Sequence, residues 1–201
     1  MITKILVWDI PTRLFHWLLA ASFIGAYVTA ESEYWRALHV ALGYTVVGLI
    51  CFRLIWGFVG TRYARFSAFA FGPSKVLSYM KSLLNKAPEH YVGHNPAGSW
   101  AIYGLLLLGL LSGASGYAVY AEIGGEWLED LHEVVSNLML ALVVVHVAGV
   151  LVSSYLHHEN LVRGMITGYK HGEPEQAIKR SYWLLAIVLL VGVIALWVKL
   201  Y

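Results

Sequence analysis

The stretch "LHEVVSNLMLALVVVHVAGV", residues 131–150, is apolar at almost every position, yet it carries His132 near its start and His146 deep inside. A run of this length matches the ~20 residues a helix needs to cross ~30 Å of hydrocarbon. Ionisable side chains in such a span are costly, and they usually face the bundle interior or a functional site. At ~100° per residue, a separation of fourteen residues returns to within about 40° of the same direction. Both imidazoles therefore lie on one helix face, ~21 Å apart along the axis. One metal ion cannot reach both. Two stacked sites can.

The rest of the chain is of the same kind. Of its 201 residues, 59% are hydrophobic and only 13% charged, against about 25% charged in an average soluble domain. Too few polar groups remain to cover a water-facing surface, which places the chain in the membrane class. A single cysteine, Cys51, excludes an internal disulfide and a Cys-x-x-Cys-His haem attachment. Apolar stretches at about 14–30, 37–60, 97–121, 131–156 and 182–198 are long and unalternating, so they predict five helices rather than barrel strands. The first competes with a signal peptide ending at Val28-Thr29-Ala30, but its weakly basic lead carries Asp9 and Pro11.

Charge between the spans sets their orientation. Lys4 and Arg13 lie in the lead, Arg62, Arg65, Lys75, Lys81 and Lys86 in the 61–96 connection, and Arg163, Lys170, Lys179 and Arg180 in the 157–181 connection. The other two connections hold only Arg36 among acids Glu31, Glu33, Glu122, Glu126, Glu129 and Asp130. Positive segments stay inside, so the N-terminus is expected in the cytoplasm and a fifth crossing places Tyr201 outside. Within 61–96, Val76, Leu77, Met80, Leu83 and Leu84 recur at helical spacing opposite Lys75 and Lys81. They predict a short amphipathic helix, lying on the membrane surface or packed on the protein.

Depth then pairs the histidines. His39 and His132 both fall in the first turn or so of helices entering from outside, whereas His16 and His146 lie ~22 Å further in. The fourth span would sit between the first two and lend one imidazole to each level. Structural zinc wants four ligands, and no Cys, Asp or Glu matches the depth of the inner pair. Haem needs only two axial ligands, and its flat apolar ring suits a helical bundle. Two bis-histidine b haems are the economical reading, with His16/His146 inner and His39/His132 outer. Gly25, Gly43, Gly48, Gly109, Gly113 and Gly149 can admit close helix or macrocycle contacts. The competing reading for each imidazole is a hydrogen-bonded packing residue. His157 competes with His146, since eleven residues also preserve the face, but it falls beside His158 and Glu159 beyond the core. His90, His94, His158 and His171 read as solvated loop residues.

Arg53, inside the second span, either snorkels to the interface or pairs with a propionate of the inner haem. Arg13 beside His16 and Arg36 beside His39 invite the same proposal at their own sites. Trp8, Trp17, Trp35, Trp56, Trp100 and Trp127 cluster near span ends and read as an interfacial belt.

The segments "VWDIPTRLFHW", "RLIWGFVGTRYARF", "GHNPAGSW" and "LHEVV…HVAGVLVSSYLHHENLVRGMITGYK" together resemble the bacterial cytochrome b561 family, which includes the b-type cytochrome subunit of membrane-bound nickel–iron hydrogenases. The likeness runs over about 4–171. It implies an all-α, integral membrane four-helix di-haem bundle, with His16, His39, His132 and His146 at the axial positions. It further implies an inner-membrane respiratory carrier linking the quinone pool to a periplasmic hydrogenase or c-type cytochrome. Residues 1–171 would form the di-haem domain, and 172–201 a short cytoplasmic connection with a fifth transmembrane helix that departs from the family core. Neither a flavin nor a nicotinamide motif is legible, and no nucleic-acid partner is implied.

Two rival functions follow from other premises. Superoxide oxidation coupled to quinone reduction, found in one branch of the family, would need positive potential at the outer face to steer an anion. The acids of the outer loops carry the opposite sign. A haem-free transporter or a membrane anchor subunit is the reading of another class, and no Gly/Pro pattern here breaks a helix at mid-membrane as transport favours.

Overall fold

Two short sequences, "WDIP" and "HNPAG", punctuate the chain, and each starts a long helix. Asp9 Oδ1 accepts from Thr12 N at 2.7 Å, and Asn95 Oδ1 accepts from Gly98 N at 2.7 Å. In both, the cap is followed by a proline in the first turn, where a missing N–H costs nothing. A computed structural model describes residues 3–85 and 89–200; Lys86 and Tyr201, counted above for orientation, lie outside them.

In chain order the elements are β1 (Thr3–Leu6), α1 (Ile10–Thr29), α2 (Arg36–Val59), α3 (Pro73–Leu84), α4 (Pro96–Tyr120), α5 (Trp127–Leu156), α6 (Leu161–Thr167), β2 (Tyr169–Gly172) and α7 (Trp183–Leu200). Every stretch expected to cross is a helix, shifted by a few residues at most. Four of the described helices are long and apolar enough to span a membrane: Glu33–Val59 (α2 with its lead-in turn), Pro96–Tyr120, Trp127–Leu156 and Trp183–Leu200. α1 is 20 residues long but is diluted by Thr12, Arg13 and His16, and it packs along α2. The fifth stretch is thus among the most lipid-like of all.

One core ties the helices together. Phe15 and Phe23 of α1, Val46, Leu49 and Ile50 of α2, Leu106 of α4 and Met139 of α5 are buried against one another, with Leu189 and Val193 of α7 packed on them. Gly109 and Gly113 of α4 permit this approach. A Cβ on either would lie 2.5 Å from Ile50 or 2.3 Å from Val47. Gly25 is likewise tight, at 3.0 Å from Leu42, whereas Gly43, Gly48 and Gly149 border no helix within 4 Å. Polar ties are few and short: Tyr27 Oη donates to Asn137 Oδ1 (2.7 Å), Ser112 and Ser136 hydroxyls pair (2.9 Å), and Trp197 Nε1 donates to Thr45 Oγ1 (3.0 Å). Such bonds between small or polar residues are how helices adhere where the surroundings are as apolar as they are. Outward-facing Val144, Val145, Leu151 and Val152 leave α5 exposed along one side.

A polar cap, not foreseen from periodicity, closes the end of the bundle that carries β1. β1 pairs antiparallel with β2, Thr3 opposite Gly172 and Leu6 opposite Tyr169. Gly168 (φ 88°) makes the turn into β2, and its carbonyl accepts from Val7 N and Trp8 N at 2.8 and 3.0 Å. Tyr63 Oη reaches Gln176 O at 2.9 Å, and Lys170 Nζ reaches both Tyr91 O and Glu159 at 3.2 Å. The lead, the 61–96 connection and the 157–181 connection, the three basic segments, therefore gather at one end. Lys170 is nonetheless buried rather than solvated, and its ion pair keeps that charge tolerable. Tyr79 is the buried face of α3, while Leu77, Met80 and Leu84 point outward.

Candidate cofactor sites

At the end opposite the cap, the starts of α2 and α5 bring two imidazoles together. The His39 and His132 rings have centroids 6.1 Å apart and planes 84° apart. With metal–imidazole bonds of ~2 Å and a ring radius of about 1 Å, two rings on opposite sides of one ion have centroids about 6 Å apart. The tautomers fit as well. His39 Nδ1 lies 2.8 Å from Ala26 O, and His132 Nδ1 lies 3.0 Å from Ser112 O and 3.2 Å from Ser115 Oγ. A carbonyl only accepts, so each Nδ1 carries the hydrogen and each Nε2 keeps its lone pair for a metal. Gly116 makes room for this arrangement. A Cβ there would lie 2.9 Å from His132 Cε1. Arg36 stands exposed three residues before His39, 3.8 Å from Glu33.

Nearer the cap, α1 and α5 present His16 and His146 within electrostatic reach of each other. Both are half-buried. His16 Nδ1 is buried without a hydrogen-bond partner among the described residues, and its ring meets Trp17 edge-on at 4.9 Å. Arg53 of α2 is buried close by. Its guanidinium lies over the rings of Phe66 (4.8 Å) and Phe69 (5.8 Å), faces Asp9 and Tyr103 electrostatically, and leaves Nη1 unpartnered. It does not snorkel. Arg13 donates to Ile166 O of the cap at 2.6 Å, and its Nε is buried without a partner among the described residues.

Two expectations need correction at this end. His94 is not a solvated loop residue: its ring is clasped by Trp8 (4.6 Å) and Phe69 (4.4 Å), and Nδ1 is buried. Burial, reinforced by the charges of Arg53 and Lys170, pushes this imidazole down to about 3, so it is neutral at ordinary pH. Trp8 and Trp56 are not belt residues either. Both are buried, and Trp56 Nε1 lies 3.3 Å from both oxygens of a fully buried Asp9, a carboxylate also bonded by Thr61 Oγ1. An acid so placed needs N–H and O–H donors around it. His90 is exposed and its ring meets that of His157 at 5.7 Å, which places His157 at the cap, while His146 is the imidazole within electrostatic reach of His16.

Among the described residues no group of three or more His, Cys, Asp or Glu could hold a bare metal ion. His39 and His132 instead stand as a pair of imidazoles on two helices, a set that a macrocycle with two open axial positions could use. The family model for prokaryotic cytochrome b561 matches residues 7–168. The chain belongs to that family. A b-type cytochrome implies haem b, and the outer pair fits it in ring separation and tautomer.

Relatives of the same family extend the likeness. A protein of Azotobacter chroococcum mcd 1 named "Probable Ni/Fe-hydrogenase B-type cytochrome subunit" is 32% identical over 159 residues, 64% of this chain and 65% of that one, just under two thirds of its length. The protein of the same name from Azotobacter vinelandii is 27% identical over 84% of this chain and 89% of its own. A "Probable Ni/Fe-hydrogenase 1 B-type cytochrome subunit" of Escherichia coli K12 is 24% identical over 82% and 89%. No solved structure is a significant match.

Proposed function

We propose that this membrane b-type cytochrome carries two haems and passes electrons between a periplasmic hydrogenase, or a c-type cytochrome in its place, and the quinone pool. The single observation that carries the reading is the His39–His132 geometry, perpendicular rings at 6.1 Å with both Nδ1 atoms tied to backbone oxygens. Haem supplies reversible one-electron chemistry when bound. The chain supplies the rest. His39 and His132 ligate at one level and His16 and His146 at the other, both levels bridged by α5. Arg53 offers its unpaired Nη1 to a propionate of the inner group. The apolar core between the levels keeps water out, and burial of this kind sets potentials.

Residues 1–171 form the di-haem domain in this reading, and 172–201 a connection and fifth span whose helix packs on α1 and α2. The basic cap faces the cytoplasm of a bacterial inner membrane, because Lys/Arg-rich connections stay inside. The outer face then bears Glu122, Glu126, Glu129 and Asp130, which suit docking of a basic protein surface and repel superoxide. The names of the relatives favour a hydrogenase as that partner.

Purified protein should give two haems b per chain by pyridine haemochrome, with low-spin signals for both. One haem per chain, or none, would overturn the di-haem reading. Dithionite-free reduction by hydrogen in membranes that also hold a nickel–iron hydrogenase, followed by reoxidation on adding a quinone, tests the partners. A cytochrome that stays oxidised under hydrogen removes the hydrogenase from the proposal. Gly116→Ala tests the outer site on its own, since the added methyl must displace the His132 ring from Ser112 O. A ~10–100-fold weaker hold on the outer haem is expected, as for losses of supporting contacts around metal-bound histidines. Unchanged haem retention on dilution would speak against His132 as a ligand.

A further inference from the structure

The motif "GHNPAG" places His94 with unusual firmness. Asn95 caps α4 through Gly98 N, Pro96 fixes the first turn, and Gly93 sits where a Cβ would lie 2.7 Å from the Tyr63 ring. The imidazole is held between Trp8 and Phe69 and lies within electrostatic reach of Arg53, His16 and His146. Its Nδ1 is buried and makes no hydrogen bond among the described residues. Arg53, which packs on the same Phe69 ring, also has a buried and unpartnered nitrogen, Nη1. An unmet buried polar atom costs about 1–3 kcal/mol, more when charged, and with two such nitrogens on side chains that pack on one Phe69 ring, one of them a guanidinium, an acceptor with negative charge would meet both.

We propose that His94 donates a hydrogen bond to the propionate edge of the inner haem, forming with Arg53 a two-residue clamp on that carboxylate. The proposal rests on the inner haem of the preceding reading. A carboxylate with two acceptor oxygens satisfies both nitrogens at once. His94 also lines an open cavity of about 760 Å³ beside Arg62 and Tyr63, so a soluble anion entering from the cap is the other source of the same chemistry.

Two variants separate hydrogen bonding from packing. His94→Phe keeps an aromatic ring against Trp8 and Phe69 but has no donor, and His94→Gln keeps a donor but no ring. Redox titration of the intact cytochrome should show the inner haem of His94→Phe shifted to lower potential, because a carboxylate that has lost a donated hydrogen bond presents more negative charge to the iron and favours the ferric state. His94→Gln should stay near the wild type, and the outer haem should not move in either. Redox-difference infrared bands of the propionate carboxylates should shift in His94→Phe alone. Loss of the inner haem from His94→Phe with retention in His94→Gln would carry the same meaning. Identical potentials in all three proteins, a shift in His94→Gln alone, or equal shifts in both variants would overturn the clamp. So would a potential shift with unmoved infrared bands, which would assign the acceptor to a soluble anion. A wild-type protein lacking a second haem would instead remove the reading beneath the clamp, and haem content per chain tells the two failures apart.

Discussion

Replacing His146 with alanine is expected to halve the haem content, from two per chain to one, with the remaining haem low-spin and bound at the opposite level. The expectation follows from separation. His132 and His146 share a helix but stand ~21 Å apart, and the outer pair draws its hydrogen bonds from Ala26, Ser112 and Ser115, none of which touches the inner level. Sites that share no partners behave independently. His16→Ala should therefore give the same single-haem protein as His146→Ala, and His132→Ala its complement. The discriminating competitor is His157. If it were the ligand, His146→Ala would keep both haems and His157→Ala would lose one. Its ring meets His90 in the cap, while His146 is the imidazole within reach of His16. Pyridine haemochrome assays of the two single variants decide between them.

The helices and the imidazole levels were legible because both are local properties. Hydropathy over 131–156 needs no knowledge of any neighbour, and the spacing of His132 and His146 on one face is arithmetic on a single helix. Pairing by depth added one long-range inference, and the perpendicular His39–His132 rings agree with it. What escaped depends on contacts far apart in sequence. The β1–β2 ladder joins residues 3–6 to 169–172, too short and too polar to register as strands in a hydrophobic pattern. Trp56 looked like a belt residue because it stands near a span end, and only the fold reveals that its N–H is committed to Asp9, 47 positions earlier. His94 reads, from its neighbours in sequence, as a loop histidine. Loops are usually solvated, and nothing local says that Trp8 and Phe69 will close on this one.

Asp9 is where a single substitution should cost the fold most. Its carboxylate caps α1 through Thr12 N, receives Trp56 Nε1 from α2 and Thr61 Oγ1 from the loop beyond, and is fully buried. Arg53 and Arg13 both lie within its electrostatic reach. Asp9→Ala removes the cap, worth about 1 kcal/mol, and strands the Trp56 and Thr61 donors, at about 1–3 kcal/mol each. It also removes a negative charge within electrostatic reach of the buried Arg53, which makes that cation costlier to keep buried. These effects overlap, so a total of about 3–5 kcal/mol is expected rather than their sum. Asp9→Asn should cost less, since its amide oxygen can still accept at the cap while the charge is gone. Thermal denaturation in detergent, followed at the Soret band, should rank the proteins wild type, Asn, Ala. In the alanine variant the inner haem should be released first, because Arg53, proposed to hold its propionate, lies within electrostatic reach of Asp9. An alanine variant that melts with the wild type would mean that the donors around Asp9 find other partners, and that this end of α1 is held by the β1–β2 ladder instead.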